Sequence, residues 1–195
     1  MDSLRTASIV AIFLPLLGSA LWFWVGRILD PKKSEKIVSV GAVTFLAASF
    51  AAVVYLFLHT SSVSTRIDLF EWIRISPQYA LHIAFLFDPL SLALGLVVTG
   101  IGSLIHLYAT GYMHGDPGFG RFFSYLNLFI FSMLMLTFSD SLPGLFLGWE
   151  GVGLCSYLLI SFWFSEEANA IAGKKSIHRE SNWGLRIFNC DVWNL

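Results

Sequence analysis

The chain has 195 residues, of which 56% are hydrophobic and only 13% charged, with a net charge of -1 and a mean hydropathy of +0.70. Soluble domains carry about 25% charged residues, so a water-soluble core is excluded, and the near-neutral balance gives no reason to expect nucleic acid as a partner. Two cysteines, Cys155 in an apolar segment and Cys190 near the end, supply neither a disulfide framework nor metal-ligand spacing.

A bilayer core about 30 Å thick needs roughly 20 apolar residues per helix, and five segments meet that requirement. The first, Ala7 to Leu29, follows Arg5 as a signal peptide would. Its apolar run reaches Val25 without a small-residue cleavage site, however, and it reads as a retained helix. Trp22 and Trp24 near its end predict an aromatic belt. The second span is Val38 to Leu58. Between His59 and Phe87 the chain turns polar, then mixes charges with Trp72, Ile73, Ile75, Tyr79, Ile83 and Phe85. That pattern predicts an interfacial β-hairpin or lateral element instead of a span. Asp88-Pro89 predicts a helix start, with Asp88 as N-cap and Pro89 at the first helical position, opening the third span, Pro89 to Tyr112. After the turn-rich Met113 to Gly118 come Phe122 to Ser139 and Leu142 to Phe164. The short link between these last two makes them antiparallel neighbours, with Asp140 expected to cap the fifth. The fold class is therefore an all-α polytopic membrane protein of about five transmembrane helices, with an interfacial hairpin or lateral element between helices 2 and 3.

Orientation follows from Lys and Arg in short loops. Arg27, Lys32, Lys33, Lys36, Arg121, Lys174 and Lys175 fall on one side, and Arg5, Arg66 and Arg74 on the other. The richer side is expected to be cytoplasmic, which places the N-terminus and the His59 to Phe87 loop outside.

Glu150 sits in the middle of the fifth span, inside Gly148-Trp149-Glu150-Gly151-Val152-Gly153. A carboxylate at mid-membrane costs roughly 2.5 to 3.5 kcal/mol on insertion scales, so such residues are rare and usually functional. The bland alternative is a structural glutamate hydrogen-bonded to a neighbouring helix. Helical spacing favours function, since Glu150, Tyr157 and Ser161 fall at i, i+7 and i+11 and form one polar stripe able to carry water. The glycines at 148, 151 and 153 let another helix approach or let this one deform, with small-residue packing the commoner use. No Lys or Arg lies inside the spans apart from Arg27 and Arg121 near their ends, so a cationic partner for Glu150 must come from elsewhere. His106, late in the third span, reads as a packing or hydrogen-bonding residue more than a proton relay. His59, His82 and His114 read as solvated, and none has the spacing of a His-Glu-x-x-His metal site. Nothing resembles a nucleotide, flavin or iron-sulfur site.

Four blocks carry a family resemblance: Phe87-Asp88-Pro89-Leu90-Ser91; Gly111 through Phe119; Arg121 through Phe129; and Phe146-Leu147-Gly148-Trp149-Glu150-Gly151-Val152-Gly153-Leu154-Cys155-Ser156-Tyr157-Leu158-Leu159-Ile160. Over about Phe85 to Lys175 closely, and over the first two spans loosely, the chain resembles the chain L (mitochondrial subunit 5) family of NADH:quinone oxidoreductase, respiratory complex I. The resemblance implies an antiporter-like membrane-arm subunit that translocates protons as NADH is oxidised by quinone. Its partners would be other membrane-arm subunits, the lipid bilayer and protons, and its place the bacterial inner membrane. NADH, FMN, iron-sulfur clusters and quinone would belong to other subunits, with no cofactor in this chain. It further implies that Glu150 is the proton-binding carboxylate, paired in the family with a lysine on a later helix; the polar stripe, not the resemblance, offers Tyr157 and Ser161 as hydration partners. The related large subunit of multisubunit sodium/proton antiporters is the first alternative, and an inactive or assembly-only remnant the second.

The division this implies is 1–84 for the first two helices and external loop, 85–140 for a chain 5 N-terminal-like region, 141–175 for the start of an antiporter-like domain, and 176–195 as an out-of-frame tail. Composition changes abruptly at Ser176, where the family continues with a membrane helix. Reading the back-translated codons after Lys174-Lys175 one base further along permits the string AFIVNRIGDFGFLIAMFGI, which resembles that continuation. Trp183 before Gly184 and Trp193 before Asn194 each force a glycine in the shifted frame. The expectation is that the tail, with His178, Trp183, Cys190 and Trp193, carries no selected function, and that a chain ending there does not translocate protons unaided.

Overall fold

The computed structural model describes residues 2–60, 64–76, 79–169 and 171–176. Among them five helices are long and apolar enough to cross a membrane: α1 (Asp2–Ile28), α2 (Pro31–Thr60), α3 (Pro89–Tyr112), α4 (Phe119–Phe138) and α5 (Leu142–Ile160). Between α2 and α3 lie two antiparallel strands, β1 (Thr65–Ser76) and β2 (Tyr79–Phe87), running in register from Thr65 opposite Phe87 to Ser76 opposite Tyr79 with three irregularities. The all-α membrane architecture and a hairpin between helices 2 and 3 both match the sequence reading. Beyond Ser176 the tail expectation lies outside the described residues, as does the side chain of His82.

Local chemistry sets the boundaries. The Asp88 carboxylate accepts from the Ser91 backbone N–H at 2.9 Å while Ser91 Oγ accepts from the Asp88 N–H at 3.0 Å, a reciprocal capping box with Pro89 just inside the helix. Hydrogen bonds from the Ser91 side chain and backbone hold the Asp88 carboxyl below its ordinary value. For α5 the expectation fails: Ser141, not Asp140, is the cap, its Oγ accepting from Gly144 N–H at 3.3 Å. Asp140 is drawn the other way. Its carboxylate meets Arg66 Nε at 3.1 Å and its N–H donates to Ala84 O at 3.0 Å, which pins the base of the hairpin to the α4–α5 turn.

Helix α4 is the hub, packed on α1, α3 and α5, whereas among the described residues α5 packs extensively on α4 alone. The core has two halves. Phe85 and Phe87 of the hairpin join Ile12, Leu92, Leu134 and Phe138 at one end. At the other, Trp22, Val38, Met113, Phe119, Phe123 and Phe162 cluster. Trp22 is thus 5% exposed and not part of a belt, because Gly41 of α2 leaves room for its indole, while Trp24, 59% exposed, faces outward as expected. Small residues make the close crossings: a Cβ on Gly26 would stand 2.8 Å from Gly120 Cα, so α1 and α4 touch backbone to backbone.

The basic residues obey this geometry. The α1–α2 turn and the α3–α4 loop share one end of the bundle, where the exposed His114 pairs with Glu35, and Trp163 Nε1 donates to Asp116 at 3.1 Å. The hairpin and the α4–α5 turn share the other.

Candidate functional site

Helix α5 turns a glycine face to α4. A Cβ on Gly148 would lie 2.5 Å from the backbone nitrogen of Leu136, and one on Gly151 would lie 2.6 Å from Ser132 Oγ. Residues i, i+3 and i+7 share a face, so with Gly148 and Gly151 fixed on α4, Glu150 is turned away from that contact. It shares its outward stripe with Leu147 and Leu154, 53% and 45% exposed. Glu150 itself is half-buried, and among the described residues its carboxylate has no hydrogen-bond or ion-pair partner. The structural-glutamate alternative therefore finds no supporting contact within the described residues.

The stripe is gathered only in part. Tyr157 and Ser161 line a cleft of about 250 Å³ with Arg121, Tyr125 and Lys174, and Ser161 Oγ donates to Tyr157 O at 2.5 Å. Glu150 stands two turns away, about 10 Å along the helix axis, and does not line that cleft. The fifth helix also stops short of Phe164: it ends at Ile160 with Ser161 as C-cap. The cause is tertiary. Phe162 is buried under the Arg121 guanidinium, which lies 4.8 Å from its ring centroid, and the Phe162 N–H closes a tight turn to Leu159 O at 3.3 Å. Ser161 is thus a residue of the helix end, beside two cations that the stripe argument did not anticipate.

Sequence reasoning missed Asn127. In α4 it is fully buried against His106 of α3, with Asn127 Nδ2 3.1 Å from His106 Nε2 and 2.9 Å from Phe123 O, while His106 Nδ1 lies 2.9 Å from Gly102 O. A carbonyl only accepts, so Nδ1 carries the proton and Nε2 accepts from the amide, a neutral tautomer fixed by geometry. This agrees with the hydrogen-bonding reading of His106, and the available signal was the lone amide on an otherwise apolar span. Asn127→Leu is expected to destabilise the chain by about 1 to 2 kcal/mol by stranding Nε2 inside the span. A double-mutant cycle with His106→Leu, read by unfolding in mixed micelles, should show coupling; strict additivity would count against the pair.

Residues 72–123 match the family described as NADH-Ubiquinone oxidoreductase (complex I), chain 5 N-terminus, and residues 139–180 match NADH:quinone oxidoreductase/Mrp antiporter, TM. NADH-ubiquinone oxidoreductase chain 5 of Metridium senile is 37% identical over 188 residues, covering 95% of this chain and 31% of that protein. NADH-quinone oxidoreductase subunit L of Escherichia coli (strain K12) is 40% identical over 168 residues, 86% of this chain and 27% of its own length. Over these two regions the chain resembles the complex I chain 5 family. It spans less than a third of these curated relatives. Among solved structures, the Mrp complex from Dietzia sp. DQ12-45-1b aligns with a TM-score of 0.62 at 25% identity, over 81% of this chain and 16% of the matched one. Within the family frame, Glu150 and the glycine face of α5 both fall in the second matched region.

Proposed function

We propose that this chain forms the N-terminal helices of an antiporter-like membrane-arm subunit of NADH:quinone oxidoreductase and takes part in proton translocation driven by electron transfer from NADH to quinone. Glu150 is the carboxylate that takes and releases the proton. The observation that supports this is its placement: near the middle of α5, turned away from α4, and without a partner among the described residues. A carboxylate held so is costly in lipid, and a polar neighbour on that open face, from another membrane-arm subunit or another segment, would offset the cost. Tyr157 and Ser161 then hydrate the cytoplasmic end of the path. The redox groups lie in other subunits, and this chain supplies no redox centre.

The orientation proposed is N-terminus and hairpin outside, in a bacterial inner membrane. Cysteine at Ser64, an exposed residue before β1, should label with an impermeant thiol reagent on intact spheroplasts beyond the level of the unsubstituted chain. Labelling confined to inverted vesicles would reverse the topology.

The likeness to the Mrp complex favours sodium/proton exchange as a second reading. A chimera joining residues 1–175 to the remainder of Escherichia coli subunit L separates the two. NADH-driven proton uptake that persists without sodium supports the respiratory reading. Uptake that requires sodium supports the exchanger, and an assembled complex with no uptake supports an assembly-only role.

A further inference from the structure

A second feature lies at the basic end of the bundle, away from Glu150. Between the first turns of α2 and the last turn of α3 runs a groove of about 1000 Å³, lined by Lys32, Lys36, Ile37, Val40, Thr110 and Gly111. Its charge is unbalanced. Lys33 reaches Asp30 at 4.0 Å, and the Glu35 carboxylate is taken by His114 and by the Gly115 N–H at 3.3 Å. Lys32 and Lys36 have no ion pair among the described residues. The α2 N-terminus does not supply the charge, since the Lys33 and Ser34 N–H groups already bond Asp30 O at 3.0 and 2.9 Å.

Below the lysines the surface is apolar and large. Val40 is 70% exposed, and the outer face of α3 shows Leu104 at 66% and Tyr108 at 71%, whereas its inward face is built of Gly95, Thr99, Gly102 and Ala109. Helix partners in membranes meet on small residues, and lysine is depleted at protein contacts. Bulky side chains facing out beneath unpaired lysines match lipid better than another helix.

We propose that this groove binds an anionic phospholipid, its phosphate held between Lys32 and Lys36 and an acyl chain lying along Ile37 and Val40. Lysines in a headgroup layer attract anionic lipid, so two unpaired ones predict a clear preference. The inference needs only that these residues lie in the headgroup layer, and it stands apart from any role of Glu150.

Native mass spectrometry of the detergent-purified chain, titrated with phosphatidylglycerol or phosphatidylcholine, tests it. Phosphatidylglycerol should bind at least about tenfold more tightly. Lys32→Ala with Lys36→Ala should abolish that preference, Lys32→Arg with Lys36→Arg should keep it, and Lys174→Ala with Lys175→Ala should leave it intact. Equal affinity for the two lipids, or equal loss in both alanine pairs, would overturn the proposal by reducing the effect to diffuse surface charge. Displacement of the bound lipid by glycerol 3-phosphate alone would also overturn it, since the site would then be one for free phosphate. Should the alanine pair fail to fold, Val40→Trp supplies the second arm: it fills the acyl track and should weaken phosphatidylglycerol binding severalfold, and unchanged binding would refute the groove.

Discussion

Gly148→Leu is expected to cost the chain about 3 kcal/mol or more, because it forces a side chain into a contact between two helix backbones. The first added atom alone would stand 2.5 Å from the backbone nitrogen of Leu136 and 2.8 Å from its Cα, and backbone cannot rotate out of the way as a side chain can. Relief requires α5 to slide or lift from α4, its one extensive packing partner among the described residues. The control is Gly111→Leu in α3, where nothing lies within 4 Å of the added Cβ; leucine is also the better helix former, so that variant should hold or gain stability. The measurement is the thermal midpoint of detergent-solubilised chain, with the two variants side by side. A Gly148→Leu midpoint equal to that of Gly111→Leu would show that α4 and α5 do not meet as described.

The same contact explains what the sequence could and could not say. Span number and the third helix, Pro89–Tyr112, were legible because apolar length and the Asp88-Pro89 start are local signals. Most other ends shifted by between one and seven residues, and Ser161 moved from stripe to cap because Arg121 and Asp116 anchor Phe162 and Trp163 across the bundle. No local pattern encodes such anchors. Asp140 was misread for the same reason, since its partner Arg66 lies far away in the chain, on the hairpin. Glu150 was conspicuous as a charge in an apolar run, yet its direction became clear only once Gly148 and Gly151 fixed the face given to α4. Spacing alone put Tyr157 and Ser161 on the stripe of Glu150. It could not show that these two share a cleft with Arg121 and Lys174 that Glu150 does not line.

Glu150→Gln in the subunit L chimera is expected to lower NADH-driven proton uptake by at least about tenfold, a floor below the roughly hundredfold to ten-thousandfold that a positioned proton-transfer group contributes. Glutamine keeps the length and the hydrogen-bonding oxygen of glutamate but cannot take up and release a proton, so packing is preserved while the proposed chemistry is removed. Because the side chain points away from the Gly148 contact, neither the α4–α5 interface nor the amount of assembled complex should change. NADH oxidation with a soluble artificial acceptor, which bypasses the membrane arm, should therefore stay at the level of the parent. Glu150→Asp retains a carboxylate on a shorter arm and should recover part of the uptake. Tyr157→Phe should cost severalfold at most, since it removes one hydroxyl from a cleft that keeps Ser161 and Tyr125. Full uptake by Glu150→Gln in a properly assembled complex would remove the carboxylate from the path and leave Glu150 as a structural residue whose partner lies beyond the described residues.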